Sequence, residues 1–223
     1  MVTGDCGALC MWRLVSGAGA WLSRPMSQSL PAILILAAGS ATRMRGADKL
    51  MQAVAGAPLL ATLTRRAQAT GAPVFVALPD LGHPRAGALD GMDVTRVPVP
   101  DAAEGMAASL RAGVRALPEG TPAVLITPAD MPELTEDDFA TLLAAHAAAP
   151  EQTARGASGS RPGHPVLFPR ALFSALLRLT GDEGGRAVLK AHPPRLIPLP
   201  EAHALTDLDT PEAWAAWRAM QPD

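Results

Sequence analysis

An apolar run, Ile33-Leu34-Ile35-Leu36, opens into a small-residue loop from Ala37 to Lys49 that carries Arg43, Arg45 and Lys49 in quick succession. Loops of this composition bind phosphates. Glycine at positions 39 and 46 allows main-chain N–H groups to approach an anion closely, while the cations neutralise it. The segment is not a Walker A loop: six residues, not four, separate Gly39 from Gly46, and Leu50 follows Lys49 where Ser or Thr would stand. It also lacks the three closely spaced glycines of a dinucleotide fingerprint. The phosphate reader is therefore of another type.

A complementary chemistry lies in Pro128-Ala129-Asp130-Met131-Pro132, after the apolar run Val124–Thr127. An acid held between prolines at a strand end suits Mg²⁺, which takes one or two carboxylates and leaves its other positions to water and phosphates. The same residue type also forms ordinary turns. In Asp207-Leu208-Asp209-Thr210-Pro211-Glu212, either Asp209 or Thr210 is a good helix N-cap, and Asp209 is alternatively a second metal carboxylate. Glu104-Gly105-Met106-Ala107-Ala108-Ser109-Leu110 places Gly105 and Ser109 at a helix start, where N–H groups suit an anion or a base edge; a purely structural turn is the other reading of Gly105. His164, between Gly163 and Pro165, is either structural or a site residue. Gly181-Asp182-Glu183-Gly184-Gly185-Arg186 is a polar turn suited to gripping a second substrate, with Arg186 as its anion-binding member. None of the five histidines joins a cluster with metal-ligand spacing.

These loops need a scaffold, and the apolar pattern supplies one. Short β-rich runs alternate with longer runs of helical spacing, the pattern of a parallel sheet covered by helices. Strands are expected at Ile33–Leu36, Val74–Leu78, Val94–Val97, Val124–Thr127, Pro165–Phe168 and Arg195–Leu199. Val94–Val97 reads as an edge strand because Pro98 and Pro100 remove ladder donors. Helices are expected from about Pro58 to Gly71, with Leu59, Leu63 and Ala67 inward, and from Met106, with Met106, Leu110, Val114 and Leu117 inward. Thr135 and Asp138 form a capping box for a helix that buries Phe139, Leu142 and Leu143. Further helices are expected over Ala171–Leu179, over Gly184–Ala191, and from Pro211 with Trp214 and Trp217; Arg155–Gly163 reads as a mobile substrate loop. The fold class is α/β: one doubly wound, mostly parallel sheet flanked by helices. In such sheets ligands bind beyond the carboxyl ends of the strands, where the loops above lie.

At 223 residues, with 48% hydrophobic and 18% charged residues, the chain is expected to bury its core in one α/β domain over residues 29–223. The first 28 residues read as a disordered extension or a mis-assigned start, with Met26 a natural beginning. A formal charge of −2 argues against nucleic acid or a membrane surface as partner, and for small-molecule substrates. Both cysteines, Cys6 and Cys10, lie in the first ten residues, which leaves the body without a disulfide framework and fits the cytoplasm.

Leu36-Ala37-Ala38-Gly39 followed by Arg43, Met44 and Lys49 resembles the signature loop of nucleotidyltransferases that activate sugars, alcohols and cofactors with a nucleoside triphosphate. Within that superfamily, with its Rossmann-like fold, the chain most resembles the MobA-like proteins, and among these the MocA-type molybdenum cofactor cytidylyltransferases. The motifs at 104–110, 128–132, 163–168, 181–186 and 207–211 carry the resemblance in order along the body. It implies transfer of CMP from CTP to the terminal phosphate of molybdopterin, with release of pyrophosphate. Implied roles place Leu36, Ala37, Ala38 and Gly39, with Gly105 and Ser109, against the nucleotide. Arg43 and Lys49 hold the triphosphate, Asp130 holds Mg²⁺ or Mn²⁺ and Asp209 completes the metal site. Arg43, Lys49 and Asp130 are then the catalytic set, while His164, Asp182 and Arg186 receive the second substrate. Two alanines before Gly39 fit the cytidylyl branch, whereas Ala-Gly-Gly leaves room for a purine. A recipient molybdenum hydroxylase is the implied protein partner. In-line attack of one phosphate on another needs charge neutralisation and alignment, not a protein nucleophile. The alternatives are guanylylation of molybdopterin, activation of a phosphorylated alcohol or sugar, and a non-catalytic factor that binds the cofactor and hands it on. The loop reads Arg43-Met44-Arg45-Gly46, one residue longer than the usual Arg-Met-Gly, so the division of labour between the two arginines stays open.

Overall fold

The computed structural model describes residues 30–39, 44, 47–182 and 184–220. Arg43 and Arg45, Gly46, Glu183 and the expected N-terminal extension lie outside the described residues. The strands are β1 (Ala32–Leu36), β2 (Ala53–Val54), β3 (Ala57–Pro58), β4 (Val74–Leu78), β5 (Thr95–Pro98), β6 (Ala123–Pro128), β7 (Ala154–Ser158), β8 (Arg161–Pro169) and β9 (Arg195–Pro198). The α-helices are α1 (Leu59–Ala69), α2 (Pro84–Gly87), α3 (Met106–Ala116), α4 (Glu136–Ala148), α5 (Phe173–Leu176), α6 (Arg186–Ala191) and α7 (Pro211–Met220). Seven strands form one sheet in the order β5-β4-β1-β6-β8-β7-β9, and β2 pairs with β3 in a separate small ribbon. In the main sheet β8 alone among these strands runs antiparallel to its neighbours. The expected α/β fold is present.

Alternation along β1 shows how the sequence makes two cores. Ile33 and Ile35 face a layer that contains Leu59, Leu60 and Leu63 of α1, Phe139 and Leu142 of α4, and Trp214 and Trp217 of α7. Leu34 faces the other layer, with Leu110 and Val114 of α3, Leu176 of α5 and Val188 of α6. Period two in a strand sends successive side chains to opposite faces, so a strand buried on both sides reads as an unbroken apolar run. Each fully buried Leu or Ile contributes roughly 1.5–3 kcal/mol. Helix α3 lies so close to the sheet that a Cβ at Gly113 would meet Leu34 Cδ2 at 2.3 Å. Helix α4 begins at the expected capping box: Thr135 Oγ1 accepts from the Asp138 N–H, and Asp138 Oδ2 accepts from the Thr135 N–H at 2.8 Å.

Three expectations require correction. The stretch Arg155–Gly163 is the β7–β8 hairpin and not a free loop; Arg155 pairs with Val166, Ala157 with Pro162 and Ser158 with Arg161, with a register shift between Arg155 and Ala157. The helix expected over Ala171–Leu179 is broken into a 3₁₀ turn at Arg170–Leu172 and the single turn of α5, although Leu172 and Leu176 are buried as expected. Met106 is 43% exposed and does not join the core face of α3. As the first residue of that helix it stands at the carboxyl edge of the sheet, beside Gly184. The short β2–β3 ribbon and α2 carry too few residues to produce a periodic signal.

Candidate functional site

The strand order reverses beside β1, whose neighbours are β4 on one side and β6 on the other. Such a switch point opens a crevice between the loops that leave the two strands in opposite directions. The loop after β1 starts under control, with Ala37 N–H donating to Ala77 O at 2.8 Å, and Ala129 N–H after β6 donates to Leu36 O at 3.1 Å. Arg66 of α1 holds the second loop from below through Nη1 to the carbonyls of Pro132 (2.7 Å) and Leu134 (2.8 Å). A third segment closes the crevice, Leu208 N–H donating to Asp130 O at 3.2 Å.

These three segments bring the expected charges to one point. Lys49 Nζ donates to Asp130 Oδ2 at 2.5 Å and to Asp209 Oδ1 at 2.6 Å. Burial works to lower the lysine pKa, but the two carboxylates outweigh it and hold the ammonium above its ordinary range. Thr210, not Asp209, caps α7: its Oγ1 accepts from Ala213 N–H at 3.2 Å and its carbonyl from Trp214 N–H at 3.1 Å. Asp209 is thereby directed to the crevice. Asp207 lines the same cleft, and its pKa is raised by burial and then by Asp130 and Asp209. Asp130 Oδ1 is buried and has no hydrogen-bond partner among the described residues. Surplus negative charge with an unsatisfied carboxylate oxygen fits a divalent cation, whose holders here would be Asp130 and Asp209. Among the described residues no group of three His, Cys, Asp or Glu side chains is arranged to hold a metal by itself. Mg²⁺ characteristically needs only one or two carboxylates.

Two adjoining clefts meet at Gly39 and Met106. The first, about 530 Å³, is lined by Leu36, Ala37, Gly39, Lys49, Asp130, Asp209, His164 and Arg186. The second, about 1030 Å³, is lined by Ala38, Gly39, Gly105, Ser109 and Asp182. Gly105 has φ +119°, and a Cβ there would lie 2.0 Å from Asp182 Oδ1, so a side chain at 105 would collide with the 181–186 turn. Asp182 Oδ1 accepts from Met106 N–H at 3.3 Å, and Gly181 O from Ala107 N–H at 3.0 Å, docking that turn on the start of α3. His164, Asp182 and Arg186 come together around a recess of about 130 Å³ beside Phe168. Burial first, then the charges of Arg155 and Arg186, push the His164 imidazole down to about 4 against the pull of Asp130, leaving it neutral at physiological pH.

The structure also shows an ion pair beside the nucleotide loop, Arg85 with Asp48, that the sequence did not single out. Arg85, 3% exposed on α2, donates from Nη1 to Ala37 O at 2.6 Å and Gly39 O at 2.8 Å. Its Nε and Nη2 hold both oxygens of Asp48 at 2.7 and 2.9 Å. Asp48 in turn accepts from Leu50 N–H at 3.0 Å, and its pKa is lowered because Arg85 and that N–H outweigh burial. One guanidinium thus ties the entry of the loop to its exit, next to Lys49. Turning the Ala37 and Gly39 carbonyls inward removes acceptors from the side an anion would approach. Only the position of Arg85 after strand β4, at the carboxyl edge, could have signalled it.

Residues 33–196 match the family model described as the MobA-like NTP transferase domain. The chain belongs to that family. It is similar to the purine catabolism protein PucB of Bacillus subtilis (strain 168), 32% identical over 118 residues that cover 51% of this chain and 56% of PucB. The match thus spans about half the length of that curated relative. Among solved structures it is similar to Rv0371c of Mycobacterium tuberculosis H37Rv, at 23% identity and TM-score 0.73, with 86% of this chain and all of that chain covered; a complex of Rv0371c with manganese is similar at TM-score 0.71. Molybdopterin-guanine dinucleotide biosynthesis protein A of Archaeoglobus fulgidus is similar at 15% identity and TM-score 0.64, covering 83% of this chain and 95% of that one. These likenesses are of fold. Among the described residues no helix is long and apolar enough to cross a membrane.

Proposed function

We propose that this nucleotidyltransferase-family protein moves CMP from CTP to the terminal phosphate of molybdopterin, with release of pyrophosphate, in the presence of Mg²⁺ or Mn²⁺. The observation that carries the reading is the convergence of Lys49, Asp130 and Asp209 at the switch point, on segments far apart in the chain. Transfer between two phosphates brings anions together, and an ammonium held by two carboxylates is a cation fixed in advance for that charge. Triphosphate oxygens compete with Asp130 and Asp209 for the Lys49 N–H donors, and so give the two carboxylates to a divalent ion. Bound there, that ion supplies charge neutralisation on the triphosphate and on the departing pyrophosphate.

The second cleft receives the base and ribose against Ala38, Gly39, Gly105 and Ser109. Ala38 supports cytosine, because its methyl takes space that a glycine would leave to a purine. The 164–186 recess receives the molybdopterin end, and the implied recipient of the product is a molybdenum hydroxylase. Pyrophosphate release with molybdopterin and either CTP or GTP, with Mg²⁺ present, tests the assignment. CTP is expected to support turnover at least tenfold faster than GTP. Asp130→Ala and Lys49→Ala are each expected to reduce turnover by at least about 10³-fold with an unchanged circular dichroism spectrum. Preference for GTP defeats the cytidylyl assignment, and near-normal rates in both variants defeat the site.

A further inference from the structure

Glu133 stands on the loop that carries Asp130, and its side chain reaches the segment that carries Asp209. Its Oε2 accepts from the Thr206 hydroxyl at 2.6 Å and its Oε1 from Trp217 Nε1–H at 3.2 Å. Thr206 precedes Asp209 and Trp217 follows it, so one carboxylate grips the chain on both sides of that acid. The grip has a firm base. Arg66 Nη1 donates to the carbonyls of Pro132 and Leu134, the residues on either side of Glu133. Its far end is equally firm, because Trp214 and Trp217 are buried and seat α7 in the core. The arm that leads to Thr206 is docked as well: His203 Nδ1 lies 2.8 Å from Asp138 Oδ2, Ala204 O accepts from His164 N–H at 2.8 Å, and a Cβ at Gly163 would lie 1.8 Å from that same carbonyl. Satisfying the Trp217 indole needs only one carboxylate oxygen. The second oxygen, on Thr206, adds nothing to the seating of α7 and instead fixes the arm that delivers Asp209.

We propose that Glu133 is a positioning residue for the divalent cation held by Asp130 and Asp209: it sets the distance between those two carboxylates, so that the ion meets a preformed pair. The proposal rests on the reading of these two acids as the holders of the ion, and it gives a part in that site to a residue that lines neither cleft. The two acids repel each other. While Lys49 bridges them, the ammonium covers that repulsion. Once the ammonium turns to a triphosphate, the chain itself must keep the acids together for the ion, and charge-assisted hydrogen bonds from a carboxylate are strong enough to act as the brace.

Mn²⁺ alone serves as probe, its binding to the full chain read from the loss of the free-ion electron paramagnetic resonance signal. The wild-type protein is expected to bind it, and Asp209→Asn and Glu133→Ala are each expected to weaken binding about tenfold or more. Glu133→Gln is expected to keep the affinity within about twofold, because the amide oxygen accepts from Trp217 and the amide nitrogen donates to Thr206 Oγ1, whose own proton turns to Ala202 O, 3.2 Å away. Thr206→Val leaves the Trp217 contact in place and is expected to weaken binding at least about threefold; it carries the test if Glu133→Ala fails to fold. Weakening in Asp209→Asn with unchanged affinity in Glu133→Ala or, failing that, Thr206→Val makes Glu133 a strut of α7 only and overturns the proposal. A loss in Glu133→Gln as large as that in Glu133→Ala shows that charge and not geometry is at work, and overturns it too. Mn²⁺ binding that is absent from the wild type, or unchanged in Asp209→Asn, overturns the cation site itself, and the proposal falls with it.

Discussion

Replacing Arg85 by methionine keeps the apolar stem and removes the guanidinium, leaving four hydrogen bonds unmade at Ala37 O, Gly39 O and both oxygens of Asp48. The losses are unequal. Ala37 is buried, so its carbonyl is left without a donor where water does not reach, at a cost of about 1–3 kcal/mol. Gly39 is exposed and the Asp48 side chain is 23% exposed, so both regain water and contribute roughly 1 kcal/mol between them. The expected destabilisation is about 2–4 kcal/mol, which for a domain of this size lowers Tm by roughly 5–15 °C. The functional loss follows from geometry: with entry and exit untied, the loop and Lys49 no longer share one frame, and a displacement of about 1 Å costs on the order of 10²-fold in rate. Pyrophosphate release measured against CTP concentration at saturating acceptor, well below Tm, should show kcat/KM for CTP reduced about 10–100-fold and KM for the acceptor unchanged. Arg85→Lys should recover stability only in part, because one ammonium cannot reproduce a planar fork that serves four acceptor atoms. A methionine variant that melts early yet keeps kcat/KM for CTP within twofold refutes the clamp and reduces Arg85 to a core strut.

Three other outcomes follow from single positions. Ala38→Gly widens the second cleft and should shift the CTP-to-GTP ratio of kcat/KM towards GTP by roughly tenfold, the order of one methyl's discrimination; an unchanged ratio places the base elsewhere. His164 has a native pKa of about 4, below its unfolded 6.5, so the unfolded chain takes up the proton first and stability is lost as pH falls between those values. Urea unfolding at pH 7.5 and 5 should therefore show about 2 kcal/mol more loss in the wild type than in His164→Asn, and equal losses would mean the imidazole is not held neutral. Gly105→Ala meets both a left-handed φ of +119° and the Asp182 carboxylate. It should cost more than about 2 kcal/mol, and the further change Asp182→Ala should recover part of that; no recovery would show backbone strain alone to be the cause.

Local sequence rules determined the scaffold. The apolar run at Val74–Leu78, the Thr135–Asp138 box and the i, i+4 spacing of Leu59 and Leu63 each act within a few residues, and each is found in place. The same locality explains the failures: polar residues at 155–163 read as a loop because their pairing partners are set by a hairpin whose register no short window contains. Within the site, the types Lys49, Asp130 and Asp209 were legible because phosphate and metal chemistry admits few side chains. No local pattern joins them: the resemblance implied one site, but the direct pairing of Lys49 with both carboxylates, 81 and 160 residues away, follows only from the reversal of strand order beside β1. Tertiary structure likewise gave the cap of α7 to Thr210 and turned Asp209 to the crevice, and it buried Arg85 among two carbonyls and a carboxylate. Sequence periodicity records which face of an element is apolar; which polar groups share a desolvated space depends on how the finished sheet stacks its loops, and that is decided only when the elements pack.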